Sequence, residues 1–262
     1  MDTAQTGLFG ISHARVTAYA AVLLLCGVVG WQAIAQPSAV VQNETTPSTE
    51  NVQIAEDYLA SLASTTQTAG YGNITPLGAS IFAQALIAYD KALETSSSTD
   101  VGLAAVQAYG TSVRPSVDYK SYAAGDILTT ADTSKDRVLA YRADLRTALE
   151  PLLENKEYEL DIYAQYVDTK DAKYLAGLHS AAQNYRIAVS KTEKVVAPVD
   201  ASVYHASILS SLSKFASTLE ALADNANDPF ASAALLRTFL DAQDGVIASF
   251  NSIGKYATSK IL

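Results

Sequence analysis

Two polar residues stand in the apolar register of helices predicted from the sequence. His205 interrupts the three–four hydrophobic spacing of residues 198–225, and Gln243 interrupts the spacing of residues 229–257. A histidine at such a position is either a buried ring satisfied by a neighbouring hydroxyl or carboxylate, or a pH-sensitive group that contacts a ligand. We predict that Gln243 pairs with His205 or with Tyr204 across a helical bundle.

Tyrosine is unusually frequent, with 15 Tyr against 6 Phe and 1 Trp. Four of these tyrosines lie at or beside apolar-face positions: Tyr141, Tyr163, Tyr174 and Tyr185. Each ring can pack in a bundle with its hydroxyl at the edge, or the rings can line a groove for a protein or polysaccharide partner. The candidate residues of a polar core or interaction site are therefore His205, Gln243, Tyr204 and Tyr185.

An acidic cluster gives the sequence its other chemical feature: Glu150, Glu154, Glu157, Glu159 and Asp161. All except Glu159 recur at spacings of four, three and four, so that one continuous helix would place them on the same face. The two interpretations are a weak divalent-cation site and a solvated outer face. Lys156, which interrupts the cluster, favours the solvated face.

Motifs for catalysis and cofactor binding are missing. The sequence contains no Gly-x-Ser-x-Gly, no phosphate-binding glycine loop and no Gly-x-Gly-x-x-Gly. A di-metal bundle needs Glu-x-x-His, but Ala176 precedes His179 and Ser202 precedes His205 at that spacing. We predict no catalytic residue, cofactor or metal ligand, and a binding protein rather than an enzyme. A hydrolase with an unrecognised polar site is the weakest alternative.

Composition excludes further classes of function. The 18 Lys and Arg residues are outnumbered by 27 Asp and Glu, which gives a net charge of −9 over 262 residues. Such a chain lacks the clustered positive charge that nucleic-acid phosphates require. The only cysteine, Cys26, excludes an intrachain disulfide and a multi-cysteine metal site.

The N-terminal region predicts the compartment. Residues 16–35 carry no charge, and as a helix they would extend about 30 Å, the thickness of a bilayer core. Arg15 precedes this stretch, whereas the first basic residue after it is Lys91. The positive-inside rule then places a tail of residues 1–15 in the cytoplasm and the rest of the chain outside it. We predict a single-pass cell-membrane protein with a signal anchor at residues 16–35.

Two alternatives remain for the N-terminus. The small residues in Ala33-Ile34-Ala35 match a signal-peptide cleavage site before Gln36. Leu23-Leu24-Leu25-Cys26 resembles a lipoprotein signal, although Leu25 stands where a smaller residue is usual.

The exported part divides into three regions. Residues 36–49 contain two prolines and several Ser and Thr, which indicates a flexible linker. Residues 50–133 form an N-terminal helical part, with helices at 50–66, at 75–94 behind the cap Thr75-Pro76, and at about 101–109. The remainder of that part, up to residue 133, is a loop with a helical turn from Asp126 or a small hairpin.

Residues 134–262 predict an antiparallel bundle of four long amphipathic helices. The predicted boundaries are Ser134, Asp168-Thr169, Ala197-Pro198 and Asp228-Pro229. Pro151 should kink or divide the first helix, because proline cannot donate the backbone hydrogen bond of a helix interior. The fold class is therefore all-α: a transmembrane helix, smaller N-terminal helices and an extracytoplasmic four-helix bundle.

The second half, from about Asp126 to Ile261, resembles a group of uncharacterised single-pass helical exported proteins of small-genome bacteria. The resemblance rests on short elements: Asp126-Ile127, Ser134 leading to Tyr141, Pro198 leading to His205, and Asp228-Pro229. The group has no established activity, and the resemblance implies a place near surface-appendage or secretion systems. No functional residue is carried over.

These features predict a membrane-anchored interaction or scaffold module that binds another envelope protein. The alternative is a soluble exported ligand-binding protein, released by cleavage between Ala35 and Gln36. The membrane and an envelope protein are thus the expected partners, and nucleic acid is not.

The anchored form predicts that the mature protein keeps residues 1–35 and sediments with membranes. N-terminal sequencing and fractionation of the native protein measure both properties. A soluble product that begins at Gln36 would show the cleaved alternative instead.

Overall fold

The computed structural model describes residues 74–95 and 99–261, and within these ranges the chain is all-α, as predicted. The predicted transmembrane helix, linker and helix 50–66 lie outside the described residues. None of the described helices combines the length and the apolar character needed to cross a bilayer. The described helices are α1 (Pro76–Thr95), α2 (Thr99–Ser112), α3 (Lys135–Ala148), α4 (Glu159–Thr169), α5 (Ala172–Thr192), α6 (Ser202–Asp224) and α7 (Pro229–Ile261).

Several helices begin where the sequence predicts. α1 starts at Pro76, and the Thr75 hydroxyl accepts a hydrogen bond from the Gly78 amide at 3.2 Å. The Ser134 side chain caps α3 by accepting from the Arg137 amide. α7 starts at Pro229 after Asp228. Local capping chemistry thus determines these starts.

Pro151 divides the first predicted long helix rather than bending it. α3 ends at Ala148, the 3-10 turn Glu150–Glu154 follows, and α4 begins at Glu159. Proline at this point removes one amide donor and its ring clashes with the carbonyl four residues earlier. The expectation of four long helices is corrected accordingly, because the first of them is two short helices.

The boundary predicted at Asp168-Thr169 is also wrong. α4 continues through Thr169, and Lys170 then adopts the left-handed conformation with φ of 56°. The cap of α5 is Asp171, whose carboxylate accepts from the Lys173 amide at 3.0 Å. The left-handed residue ends one helix, and the next aspartate starts the other.

A short parallel ribbon replaces the direct helix-to-helix turn predicted at Ala197-Pro198. Strand β1 (Thr129–Thr130) pairs with β2 (Ala197–Pro198), Thr129 opposite Ala197. The 3-10 turn Val199–Ala201 then leads into α6. The hairpin alternative for the region before residue 133 is therefore wrong, since Thr129 and Thr130 pair with a distant segment.

α6 is the central helix of the bundle and packs against both α5 and α7. Short connections make neighbouring helices antiparallel. Two hydrophobic clusters form the core. Around the ribbon end, which we call the distal end, the largest fully buried side chains are Val138, Tyr141, Ile208, Leu209 and Leu212. Around the other end they are Leu178, Leu219, Leu222, Leu235 and Phe239.

Asp228 joins the N-terminal helices to the bundle at the end opposite the ribbon. Its Oδ1 accepts from the backbone amides of Phe230 and Ala231 at 2.9 and 3.0 Å, which caps α7. Its Oδ2 accepts from the amide and hydroxyl of Thr75 at 2.5 and 2.7 Å, immediately before α1. One fully buried carboxylate therefore lies at two helix N-termini, where the backbone amides and dipoles stabilise negative charge.

The α1–α2 pair lies against the start of α7. Phe82 packs on Phe230 with ring centroids 5.3 Å apart. Gly78 passes so close to the Asp228 carboxylate that a Cβ would lie 2.0 Å from Oδ2. Glycine is therefore required here by the close approach of two elements.

The segment between α2 and β1 is tied to the bundle by polar contacts. Arg114 forms an ion pair with Asp241 at 2.7 Å. The Tyr122 amide donates to the Ser210 hydroxyl at 2.9 Å, and the Tyr122 hydroxyl donates to Glu193 at 2.6 Å. These bonds hold the irregular segment between α2 and β1 against the bundle.

We predict that Asp228→Ala lowers the free energy of unfolding by about 2–3 kcal/mol, because it removes a double cap and leaves the buried Ala231 amide unpaired. Urea denaturation followed by circular dichroism measures the loss.

A matched glycine pair tests the same junction. Gly78→Ala should destabilise the fold because its methyl group collides with the carboxylate. Gly245→Ala should be neutral or stabilise by up to about 1 kcal/mol, since no atom lies within 4 Å of its added Cβ and alanine favours helix. Equal effects of the two substitutions would contradict the close approach.

Candidate functional site

His205 is a fully buried ring with both nitrogens engaged. Nε2 lies 3.1 Å from the Thr192 carbonyl oxygen, and Nδ1 lies 2.9 Å from the Tyr141 hydroxyl. Because a carbonyl oxygen can only accept, Nε2 carries the proton. Nδ1 of the neutral ring then accepts from Tyr141. The ring therefore links α3, α5 and α6, as expected for a buried histidine satisfied by a hydroxyl.

The neutral form of His205 is favoured by its surroundings. Burial lowers the pKa of the ring, and the bond to the Thr192 carbonyl opposes this effect more weakly. Burial likewise raises the pKa of the Tyr141 hydroxyl, which keeps this donor protonated. The Thr192 hydroxyl, also fully buried, has no hydrogen-bond partner among the described residues.

The predicted pairing of Gln243 with His205 or Tyr204 is wrong. The Gln243 side-chain oxygen accepts from the Tyr158 hydroxyl at 3.0 Å. Tyr158 immediately precedes α4, so this bond joins α4 to α7. The Tyr158 ring also packs edge-on against Phe239, with centroids 6.4 Å apart.

Tyr185 binds a residue from the acidic cluster. Its hydroxyl donates to Glu159 Oε1 at 3.1 Å, which connects α5 to the first turn of α4. The Asn155 amide lies 3.5 Å from the same oxygen, and Asn184 donates to Asn155 at 2.7 Å. Burial, followed by the Glu159 charge, raises the pKa of Tyr185.

Tyr204 lies at the distal end and packs on Tyr256, with ring centroids 5.5 Å apart. The Tyr256 hydroxyl donates to Asp200 at 2.6 Å. Lys260 pairs with the same carboxylate at 2.6 Å. The four candidate residues are thus not brought together in one site.

Tyrosine hydroxyls are the common element that sequence reasoning missed. Within the described chain, at least six of them bond side chains from other elements: Tyr122 to Glu193, Tyr141 to His205, Tyr158 to Gln243, Tyr166 to Asn227, Tyr185 to Glu159 and Tyr256 to Asp200. The signal was present in the tyrosine count, but composition does not identify the partners. The high tyrosine content therefore serves, at least in part, to join helices.

The acidic cluster does not form one face. The division of the chain after α3 breaks the helical spacing that the prediction required. Glu150, Glu154 and Glu157 are exposed, whereas Glu159 is buried. Across residues 74–95 and 99–261, no group of three His, Cys, Asp or Glu side chains is arranged to hold a metal ion.

An apolar groove lies between α3, its following turn and the C-terminal part of α7. Its volume is about 430 Å³. The floor is formed by Leu145, Leu149, Phe250 and Ile253, among others. Arg142 and Arg146 stand one helical turn apart on the α3 side, and Glu150 follows one turn later. Neither guanidinium group makes an ion pair or hydrogen bond within the described chain.

A second apolar surface lies at the distal end. Leu128 is adjacent to the ribbon, because its carbonyl accepts from the Ala197 amide at 2.8 Å. Val196 immediately precedes Ala197. Val199 lies in the following 3-10 turn, and Val203 lies in the first turn of α6. All four side chains are exposed, Val203 to 65%. We call Leu128, Val196, Val199 and Val203 the end patch.

Comparison of the chain with protein-family models, with curated proteins and with solved structures finds no match in any of the three.

The buried neutral His205 predicts a pH-dependent stability. The ring has its ordinary pKa near 6.5 in the unfolded chain and a lower pKa in the fold, so the unfolded state takes up a proton first on acidification. Its stabilising contribution is complete above about pH 6.5 and is lost as the pH falls towards the folded-state pKa. The slope from this one group is at most about 1.4 kcal/mol per pH unit.

His205→Gln should remove that component, because glutamine does not titrate and keeps a donor for the Thr192 carbonyl. Urea unfolding between pH 5 and 7.5 measures the slope in each protein. His179→Gln is the control, since His179 is exposed and lies 3.4 Å from Asp224 at the surface. The same slope in wild type and His205→Gln would rule out His205 as the source.

Proposed function

We propose that this protein is a membrane-anchored, non-enzymatic helical module that binds another envelope protein through its end patch. Residues 16–35 would supply the anchor, and the bundle would present the binding surface outside the cytoplasm. The observation that carries the proposal is the group of exposed apolar side chains at the distal end.

The end patch has the properties of a binding surface. Its four exposed apolar residues come from neighbouring segments at one end of the bundle, whereas single exposed apolar residues are normal on any protein. The ribbon and the start of α6 hold their backbone in place, so little conformational freedom would be lost on binding. An apolar partner surface would remove the four side chains from water.

The end patch lies far from the point where the described chain begins. Thr75, where the described chain begins to pack, bonds Asp228 at the opposite end of the bundle. α6 has 23 residues and separates the two ends by roughly 34 Å. Thr75 and the end patch are therefore well separated on the bundle.

The hydrogen bonds of the polar side chains inside the bundle favour a structural over a catalytic role for these residues. His205, Gln243 and Tyr185 each bond a residue from another element. These bonds fix helix positions. Binding would therefore involve the surface of the bundle.

The proposal predicts site-specific capture of one envelope protein. A photo-crosslinking amino acid at Val203 should capture it in native membranes. The same amino acid at Leu103, an exposed apolar position on α2, should not. Mass spectrometry of the products identifies the partner.

A second substitution tests the contact itself. Val199→Asp in the chain labelled at Val203 should lower the yield about tenfold, since it places a charge in the apolar contact. Circular dichroism checks that folding is retained, which the exposure of Val199 favours. Capture of the same proteins from Val203 and Leu103, or of none, would overturn the proposal.

A further inference from the structure

α7 carries two adjoining apolar stripes. The inner stripe packs in the core, with Phe239, Val246 and Ile253 among its members. The outer stripe alternates steps of four and three: Leu236, Leu240, Gln243, Ile247, Phe250, Gly254 and Ala257. Leu240 and Ile247 are 49% and 53% exposed. This spacing is typical of a seam that receives another helix.

The outer stripe continues into the groove beside α3. Phe250, Gly254 and Ala257 belong to both, and Leu153, 71% exposed, stands on the opposite wall. Gly254 has no atom within 4 Å of an added Cβ, so there is room above the helix backbone. The groove therefore has the floor and the open space for an apolar helix face.

We propose that residues 50–66 of the same chain bind in this groove as a helix antiparallel to α7. The segment carries Ile54, Tyr58 and Leu62 at intervals of four, with Leu59 beside them. On a helix these residues share one side. This apolar face can cover the exposed apolar side chains of the groove.

Charge complementarity supports this occupant. Residues 36–73 contain four acidic residues and no Lys or Arg: Glu44, Glu50, Glu56 and Asp57. The groove offers Arg142 and Arg146, which are unpaired within the described chain. An acidic helix can supply the carboxylates that these two guanidinium groups lack.

The connecting chain is long enough. Residues 67–74 span up to about 26 Å when extended. The rise along α7 from Asp228 to Leu240 is only about 18 Å. The 17 residues of 50–66 would then cover about 25 Å as a helix, from the height of Leu240 to that of Ala257.

The same register aligns the charges. Lys135 at the start of α3 bonds the Ile261 carbonyl at the end of α7, so α3 runs antiparallel to α7. Arg142 and Arg146 line the groove together with Phe250 and Gly254. In the proposed register, Glu56 and Asp57 fall at the height of Phe250, the same height along the bundle as the arginines.

Cysteine crosslinking of the full chain tests the docking. In a chain with Cys26→Ser, Leu62→Cys is combined with Ile247→Cys in the outer stripe. The matched control combines Leu62→Cys with Gln183→Cys, an exposed position on α5. A short bis-maleimide should join Leu62→Cys to Ile247→Cys within one chain, at least tenfold faster than in the control. Equal rates would overturn the proposal.

Charge reversal tests the recognition independently of the apolar contact. Arg142→Glu with Arg146→Glu should lower the crosslinking rate about fivefold, and adding Glu56→Lys with Asp57→Lys should restore it. Lys191→Glu with Lys194→Glu, exposed at the end of α5 and outside the groove lining, should have no effect. A rate insensitive to the arginines would contradict the charge pairing.

Mixing chains that carry only one of the two cysteines distinguishes the source of the helix. The proposal expects no crosslinked dimer from the mixture. A dimer formed as readily as the intrachain product would overturn it in favour of a second copy as occupant.

Discussion

The Asp228 carboxylate determines how the two parts of the described chain meet. It caps α7 through two backbone amides and holds Thr75 at the start of α1. The carboxylate is fully buried, and each helix N-terminus provides the positive end of a dipole. The placement of α1 and α2, the close approach at Gly78 and the point from which the preceding chain departs all follow from this junction.

Within the bundle, hydroxyl bonds from tyrosine have a comparable role. A tyrosine ring contributes apolar area to the core, and its hydroxyl can satisfy a polar group at the margin. Tyr141 thereby allows His205 to be buried, and Tyr185 does the same for Glu159. These pairs fix the relative heights of helices whose alanine-rich seams would otherwise permit sliding. The polar residues inside the bundle therefore have a structural role.

The surfaces that remain have separate roles in the two proposals. The end patch faces away from the Asp228 junction and is proposed to bind an envelope partner. The groove beside α3 is proposed to receive residues 50–66, which would extend the bundle by one more antiparallel helix. The two sites lie on different parts of the molecule and use different residues.

The sequence by itself determined the all-α class, the starts of α1, α3 and α7, and the core position of His205, because capping residues and hydrophobic spacing act locally. It also identified Pro151 as an interruption but left open whether the helix bends or divides. Only the tertiary structure decided the partners of His205, Gln243 and Tyr185, the pairing of β1 with β2, and the burial of Glu159. These contacts join residues far apart in the chain, and their choice depends on the heights and rotations of packed helices, which local spacing does not encode.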